Sequence, residues 1–143
     1  PQLGNKWCVS VTATPGGVWG IGNRTILSSG PYGTANDWAL YQTGGTFRFD
    51  LFDSANVSRI VTFAHGLSGY APHRFTACTN NGALSVCQDG VLRANGALTG
   101  TGLQSVTESP LNLGNDAAGT TAWDGALSNV KICKGATKCS DCR

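Results

Sequence analysis

The chain has 143 residues, 41% of them hydrophobic and 13% charged, and its 10 Lys and Arg against 8 Asp and Glu give a net charge of +2. That is the length of one domain with a proper core. It is too apolar for a disordered chain and too weakly basic for a nucleic-acid binder that works through a dense cationic face.

The elements follow in chain order. Trp7 to Thr14 alternates and stops at Pro15-Gly16-Gly17, which predicts a strand and a turn. Arg24 to Ser28 is a short strand ended by Ser29-Gly30-Pro31. Asp37–Gln42 and Thr46–Phe52 flank Thr43-Gly44-Gly45 and read as a hairpin. In its second arm Phe47, Phe49 and Leu51 share one face while Arg48 and Asp50 take the other, the clearest period of two in the chain. Ser58–Ala64 is a further strand. His73–Thr79 and Ala83–Gln88 surround Asn80-Asn81-Gly82, a strong hairpin signal, and Gln88-Asp89-Gly90 turns into Val91–Ala94. Leu111–Leu113 and Ala126–Cys133 close the series. About ten short strands at regular spacing predict an all-β sandwich of two antiparallel sheets. The longest apolar runs, such as Trp38–Tyr41, fall far below the roughly 20 residues of a membrane span. Helix surfaces draw on Glu and Lys, and Glu108 is the only Glu.

Six Cys can mean metal, redox chemistry or disulfides. Cys139-Ser-Asp-Cys142 alone has metal-ligand spacing, and it has no second half. Disulfides are the better account. The triplets Asn23-Arg24-Thr25 and Asn56-Val57-Ser58 are N-glycosylation acceptors at Asn23 and Asn56, and with an even Cys count they point to a secreted or cell-surface chain. A start at Pro1 without a signal-peptide pattern fits a mature product or one domain of a longer protein.

The order of motifs resembles the laminin-G-like, concanavalin-A-like jelly-roll group of lectins and glucanases. The pieces are Pro72-His73, Cys87-Gln88-Asp89-Gly90, Leu113-Gly114 and Trp123-Asp124-Gly125-Ala126-Leu127 with Val130, spread from Trp7 to Lys134. They are turn and core positions, specific for fold and nearly silent on function. The resemblance implies a disulfide-stabilised jelly-roll sandwich over residues 1–134, with 135–143 as a short Cys-containing C-terminal tail. It places His73 in a packing role. The closing-strand Asp that serves some members as a calcium ligand corresponds to Asn129 or nearby, so no clear calcium ligand set is present and no cofactor is expected.

Cys78 and Cys87 lie on one face of a hairpin and are candidates for a bridge, diagonal if the turn is symmetric. The family's neighbouring first and last strands imply Cys8–Cys133, which leaves Cys139–Cys142 as a small terminal loop.

Catalysis on this fold calls for paired carboxylates. The family's hydrolases carry a Glu-x-Asp-x-x-Glu strand, whereas this chain offers Glu108 alone and Asp50 with Asp53 at odd spacing. The expectation is no enzyme. Lectins of this architecture use loop aromatics that stack on sugars, and Trp19, Tyr32 and Tyr70, each beside Gly, are the ligand-binding candidates; lids over the sandwich are the competing role. Trp7, Trp38 and Trp123 are expected in the core. Lys131, Lys134, Lys138 and Arg143 form a basic C-terminal cluster, read as solvated strand edge and tail or as a contact for sulfated glycans. The chain is therefore read as a non-catalytic extracellular carbohydrate-binding or adhesion module. The alternative is a structural subunit of a glycosylated extracellular filament or matrix. Expected partners are glycans or extracellular proteins, with self-assembly under the alternative, and neither nucleic acid nor membrane insertion.

Overall fold

A computed structural model describes residues 4–20, 22–30, 37–52, 56–97, 111–115 and 121–143. Among these residues ten strands run in order: β1 Lys6–Pro15, β2 Asn23–Ser29, β3 Trp38–Thr43, β4 Thr46–Phe52, β5 Ser58–Ala64, β6 His73–Asn80, β7 Ala83–Gln88, β8 Val91–Ala97, β9 Leu111–Leu113 and β10 Gly125–Lys134. They form two antiparallel five-stranded sheets. The first has the order β10-β1-β6-β7-β8 and the second β5-β4-β3-β2-β9, the jelly-roll arrangement expected. One 3₁₀ turn, Cys139–Cys142, follows. Among the described residues no helix is long and apolar enough to cross a membrane.

The alternation read in β4 is the one the sheet uses. Phe47, Phe49 and Leu51 are buried between the layers, and Trp7, Val9 and Val11 of β1 meet them from the other sheet. Phe47 stacks on Phe75 of β6 with centroids 3.9 Å apart, and Trp7 sits 5.2 Å from Trp38. Each such side chain contributes about 1.5–3 kcal/mol by leaving water, so these cross-layer pairs hold the sheets face to face. Trp7, Trp38 and Trp123 are all buried, as expected. Along the other flank Arg93 of β8 donates to the Ala64 carbonyl at 3.0 Å, tying the edge of one sheet to the edge of the other.

The β6–β7 turn is a tight one. Asn81 and Gly82 take φ of 49° and 89°, the left-handed pair that a two-residue hairpin requires, and Asn80 faces Ala83. That symmetry sets Cys78 opposite Ser85 rather than Cys87, and here the expected cysteine pairing fails in full. The bridges are Cys8–Cys78, Cys87–Cys139 and Cys133–Cys142, not Cys8–Cys133, Cys78–Cys87 and Cys139–Cys142. The reason is topological. Strand β1 lies between β10 and β6, so Cys8 is in register with both Cys133 and Cys78, and it closes on Cys78 with Cα atoms 4.1 Å apart. After β10 the chain reverses at Gly135, whose φ is 80° and whose N–H donates to the Lys6 carbonyl at 2.8 Å. Residues 135–143 then fold back over the outer face of the first sheet, Cys139 reaching Cys87 and Cys142 reaching Cys133. The segment buries Ala136 and Cys142 against Cys8 and Cys78. It is a strap, bonded at two points to the sheet.

Candidate functional site

The loops 16–20, 44–45 and 65–72 meet at one end of the sandwich. Trp19 in the first of them is 6% exposed and fills the gap between the sheets. Its ring lies 5.5 Å from Trp123, 5.8 Å from Phe47 and 5.9 Å from Phe75, and its Nε1 donates to the Ala71 carbonyl at 3.3 Å. With no open face it cannot stack on a sugar. This corrects the ligand-binding expectation for Trp19 in favour of a lid: flanking glycines marked the loop but not the direction of the ring. Tyr70, 65% exposed beside Gly69, does stand in solvent. Tyr32 lies outside the described residues, as do Glu108 and Asp53.

Both histidines belong to the same plug. His65 is buried, 5.3 Å from Phe47 and 6.0 Å from Trp19. Its Nδ1 accepts the Leu67 N–H at 2.9 Å, so its Nε2 carries the proton that faces the Gly44 carbonyl at 3.4 Å. Burial holds its pKa below the ordinary value of 6.5; the Gly44 carbonyl opposes this, and His73 and Arg93 add to it. His73 packs against Trp19 at 5.7 Å, with its Nδ1 2.7 Å from Asp89, in line with the packing role expected for it.

The concavity with recognition chemistry lies beside this end on the second sheet, where β2, β3 and β4 present Asn23, Arg24, Tyr41, Thr43 and Arg48 around about 280 Å³, with Thr25 and Thr121 in its wall. Register explains the grouping. Tyr41 faces Arg48 across β3–β4 and Thr25 across β2–β3, so all three project from the outer side of the sheet. The Thr25 N–H donates to the Thr121 carbonyl at 2.7 Å and the two hydroxyls are 2.6 Å apart, which fixes that wall. Asp50, fully buried on the same side, braces two of the lining side chains: its Oδ2 accepts from the Tyr41 hydroxyl at 2.9 Å and from Arg48 at 3.2 Å. The Arg48 guanidinium also lies 4.9 Å over the Tyr41 ring. Arg24 is anchored at 3.1 Å to Asp124 of the Trp-Asp-Gly motif. The guanidinium groups are thus held in place at the edge of the concavity, and the Thr43 hydroxyl donates to Asn23 at the rim.

Reading by residue type missed this site. The signal for it was the outward Arg48 and Asp50 of the period-two strand. Asn23 and Asn56 are both exposed. Asn129 takes a φ of 51° next to the irregular stretch of β1–β10 pairing, and among the described residues no three His, Cys, Asp or Glu converge to hold a metal.

Two antiparallel five-stranded sheets packed face to face in this strand order form a jelly-roll sandwich. The chain matches the concanavalin A-like lectin/glucanases superfamily, as a laminin G-type domain, over residues 5–140 and belongs to that family. Among solved structures it is similar to domains LG4-5 of the mouse laminin alpha1 chain, with TM-score 0.74 and 12% identity over 92% of this chain and 36% of that one. It is similar to the CBM40 of the Ruminococcus gnavus IT-sialidase bound to alpha2,3 sialyllactose, with TM-score 0.74 and 12% identity over 97% and 80%. The receptor binding domain of botulinum neurotoxin type G aligns with TM-score 0.63 and 15% identity over 96% and 36%. The chain thus spans little more than a third of the laminin and toxin chains. At these identities the likeness is one of fold. No curated protein matches the sequence.

Proposed function

We propose that the protein is a non-catalytic extracellular carbohydrate-binding or adhesion module, and that the pocket of Asn23, Arg24, Tyr41, Thr43 and Arg48 is where a saccharide docks. The observation that carries this is the pocket itself: guanidinium, hydroxyl and amide groups converge on a small open concavity, and two of the side chains, Tyr41 and Arg48, are braced by the buried Asp50. Multiple fixed donors and acceptors suit a ligand rich in hydroxyls. The sialyllactose on the similar CBM40 and the laminin likeness support the same class of partner.

Four of the described carboxylates support binding over hydrolysis. Asp50 is braced by Arg48 and Tyr41, Asp89 by His73 and the Arg74 N–H, Asp124 by Arg24 and Asp141 by Thr137. Glycosidic cleavage needs one carboxyl free to give a proton and another to attack or activate water. Three disulfides support an oxidising, extracellular setting. We place N-glycans at Asn23 and Asn56; one on Asn23 would stand at the mouth of the pocket and take its amide, so docking there belongs to chains that leave Asn23 unmodified.

A glycan array at physiological salt, with and without calcium, tests the reading. Saturable binding that is independent of calcium and reduced about tenfold in Arg48→Gln, at an unchanged fold by circular dichroism, is the expected result. Absence of any glycan binding together with self-association in light scattering would replace it with the assembly role.

A further inference from the structure

A second cavity, of about 420 Å³, lies on the outer face of the other sheet, between the strap and the β7–β8 turn; Arg74, Thr76, Asp89, Ser140 and Arg143 line it. It exists only because the strap is there. Cys139, bonded to Cys87, forms one wall. Arg74 is fixed with care: its Nε donates to Ser10 at 2.9 Å, its Nη2 to the Cys142 carbonyl at 2.9 Å, and its backbone N–H to Asp89 at 2.9 Å. No described residue accepts from its Nη1. Neither Arg74 nor Arg143 has a carboxylate partner among the described residues, whereas Arg24 and Arg48 each have one. Lys131 donates to the Arg143 carbonyl at 2.6 Å and adds a further cation beside this corner.

We propose that this cavity is an anion-binding site, distinct from the pocket on the second sheet, that takes the sulfate or carboxylate group of an acidic saccharide. Arg74, locked by the sheet and the strap, presents donors in fixed geometry, and Arg143 closes on the same oxyanion from the solvent side. Asp89 decides against a run of acidic residues or a polyphosphate. Its oxygens already accept from Arg74 N–H and His73, yet a carboxylate has acceptor capacity to spare. Next to two guanidiniums it suits a ligand that carries hydroxyls as well as one acidic group, and it repels a dense polyanion. The site also depends on oxidation, since without the Cys87–Cys139 bond the wall is free to leave.

The test is calorimetric titration of the oxidised protein with a sulfated disaccharide, a uronic-acid disaccharide, inorganic sulfate and an acidic peptide. Binding of one or both disaccharides is expected, weakened about tenfold by Arg143→Glu. It should stay unchanged in Lys6→Glu, which makes the same change in net charge at the opposite end of the sandwich, and be lost in the Cys87→Ser/Cys139→Ser pair. Arg143 is exposed and so its replacement leaves the melting temperature unchanged. The proposal is overturned if neither disaccharide binds, if Lys6→Glu weakens binding as much as Arg143→Glu, or if inorganic sulfate or the peptide binds as tightly as the disaccharides. Failure of the glycan pocket leaves these outcomes as they are, because Arg48→Gln does not touch this cavity.

Discussion

His65 and Trp19 show how much one side chain at the end of the sandwich decides. His65 is buried as the neutral ring, with Nδ1 occupied by the Leu67 N–H, and its pKa is below 6.5 because burial disfavours the cation. The unfolded chain therefore takes up this proton before the folded one does. Stability contributed by neutral His65 is complete above pH 6.5 and falls as the pH drops from there to the lowered folded pKa, below which it changes no further. Urea midpoints should decline between pH 7.5 and 5.5, and His65→Gln should flatten that decline; an equal decline in the variant would assign it to other groups. Trp19→Ala empties the space among Phe47, Phe75 and Trp123. Its expected cost is about 3–5 kcal/mol in denaturant titration, with saccharide binding retained at temperatures where the variant is folded.

Strands and turns were the legible part of this molecule. The ten strands among the described residues appear at the segments read from alternation and turn residues, and in β1, β4 and β6 one face is apolar, so that a slip by one residue would reverse it. The motif glycines carry equal information. Gly125, in the Trp-Asp-Gly signature, takes a φ of 144°, and a Cβ there would run into the Thr14 carbonyl and the Gly16 nitrogen where β10 meets the end of β1. Gly45, in the β3–β4 turn, has open space and an ordinary φ. Gly125→Ala should lower stability by more than about 2 kcal/mol while Gly45→Ala stays within about 0.5 kcal/mol of the parent. Equal thermal midpoints in the two variants would show that the motif glycine is not needed for the close approach. Pairing beyond the hairpins was less legible. Alternation places Cys8, Cys78, Cys87 and Cys133 on one face but not which strands stand side by side, and β1 has a cysteine-bearing neighbour on both flanks.

Across the whole molecule, the C-terminal strap is where sequence reading stopped, since a nine-residue segment with no period gives no sign that it returns over a sheet. Its course is set by three things: the Gly135 reversal, two disulfides, and Asp141. The Asp141 carboxylate accepts from the Thr137 N–H at 3.0 Å, the Lys138 N–H at 3.2 Å and the Thr137 hydroxyl at 3.2 Å. The Thr137 N–H does most to lower its pKa; burial opposes this as the second effect, and the Lys138 N–H and the Thr137 hydroxyl lower it further. The three bridges differ in how much chain they close: the separations are 70 for Cys8–Cys78, 52 for Cys87–Cys139 and 9 for Cys133–Cys142. On chain-entropy grounds the first two restrict the unfolded state by about 4 kcal/mol each and the last by about 2.7 kcal/mol. Paired Cys→Ser replacements, measured by reversible denaturation without reductant, should therefore rank Cys133/Cys142 as the mildest loss. Yet Cys133–Cys142 is the bond that holds the end of the strap to β10, next to the Arg74 contact with the Cys142 carbonyl. Its removal should cost more in anion binding than its modest stability loss would suggest, whereas the buried Cys8–Cys78 pair should show the reverse. If loss of binding instead tracked loss of stability across all three pairs, the strap would be a brace for the fold with no separate part in holding a ligand.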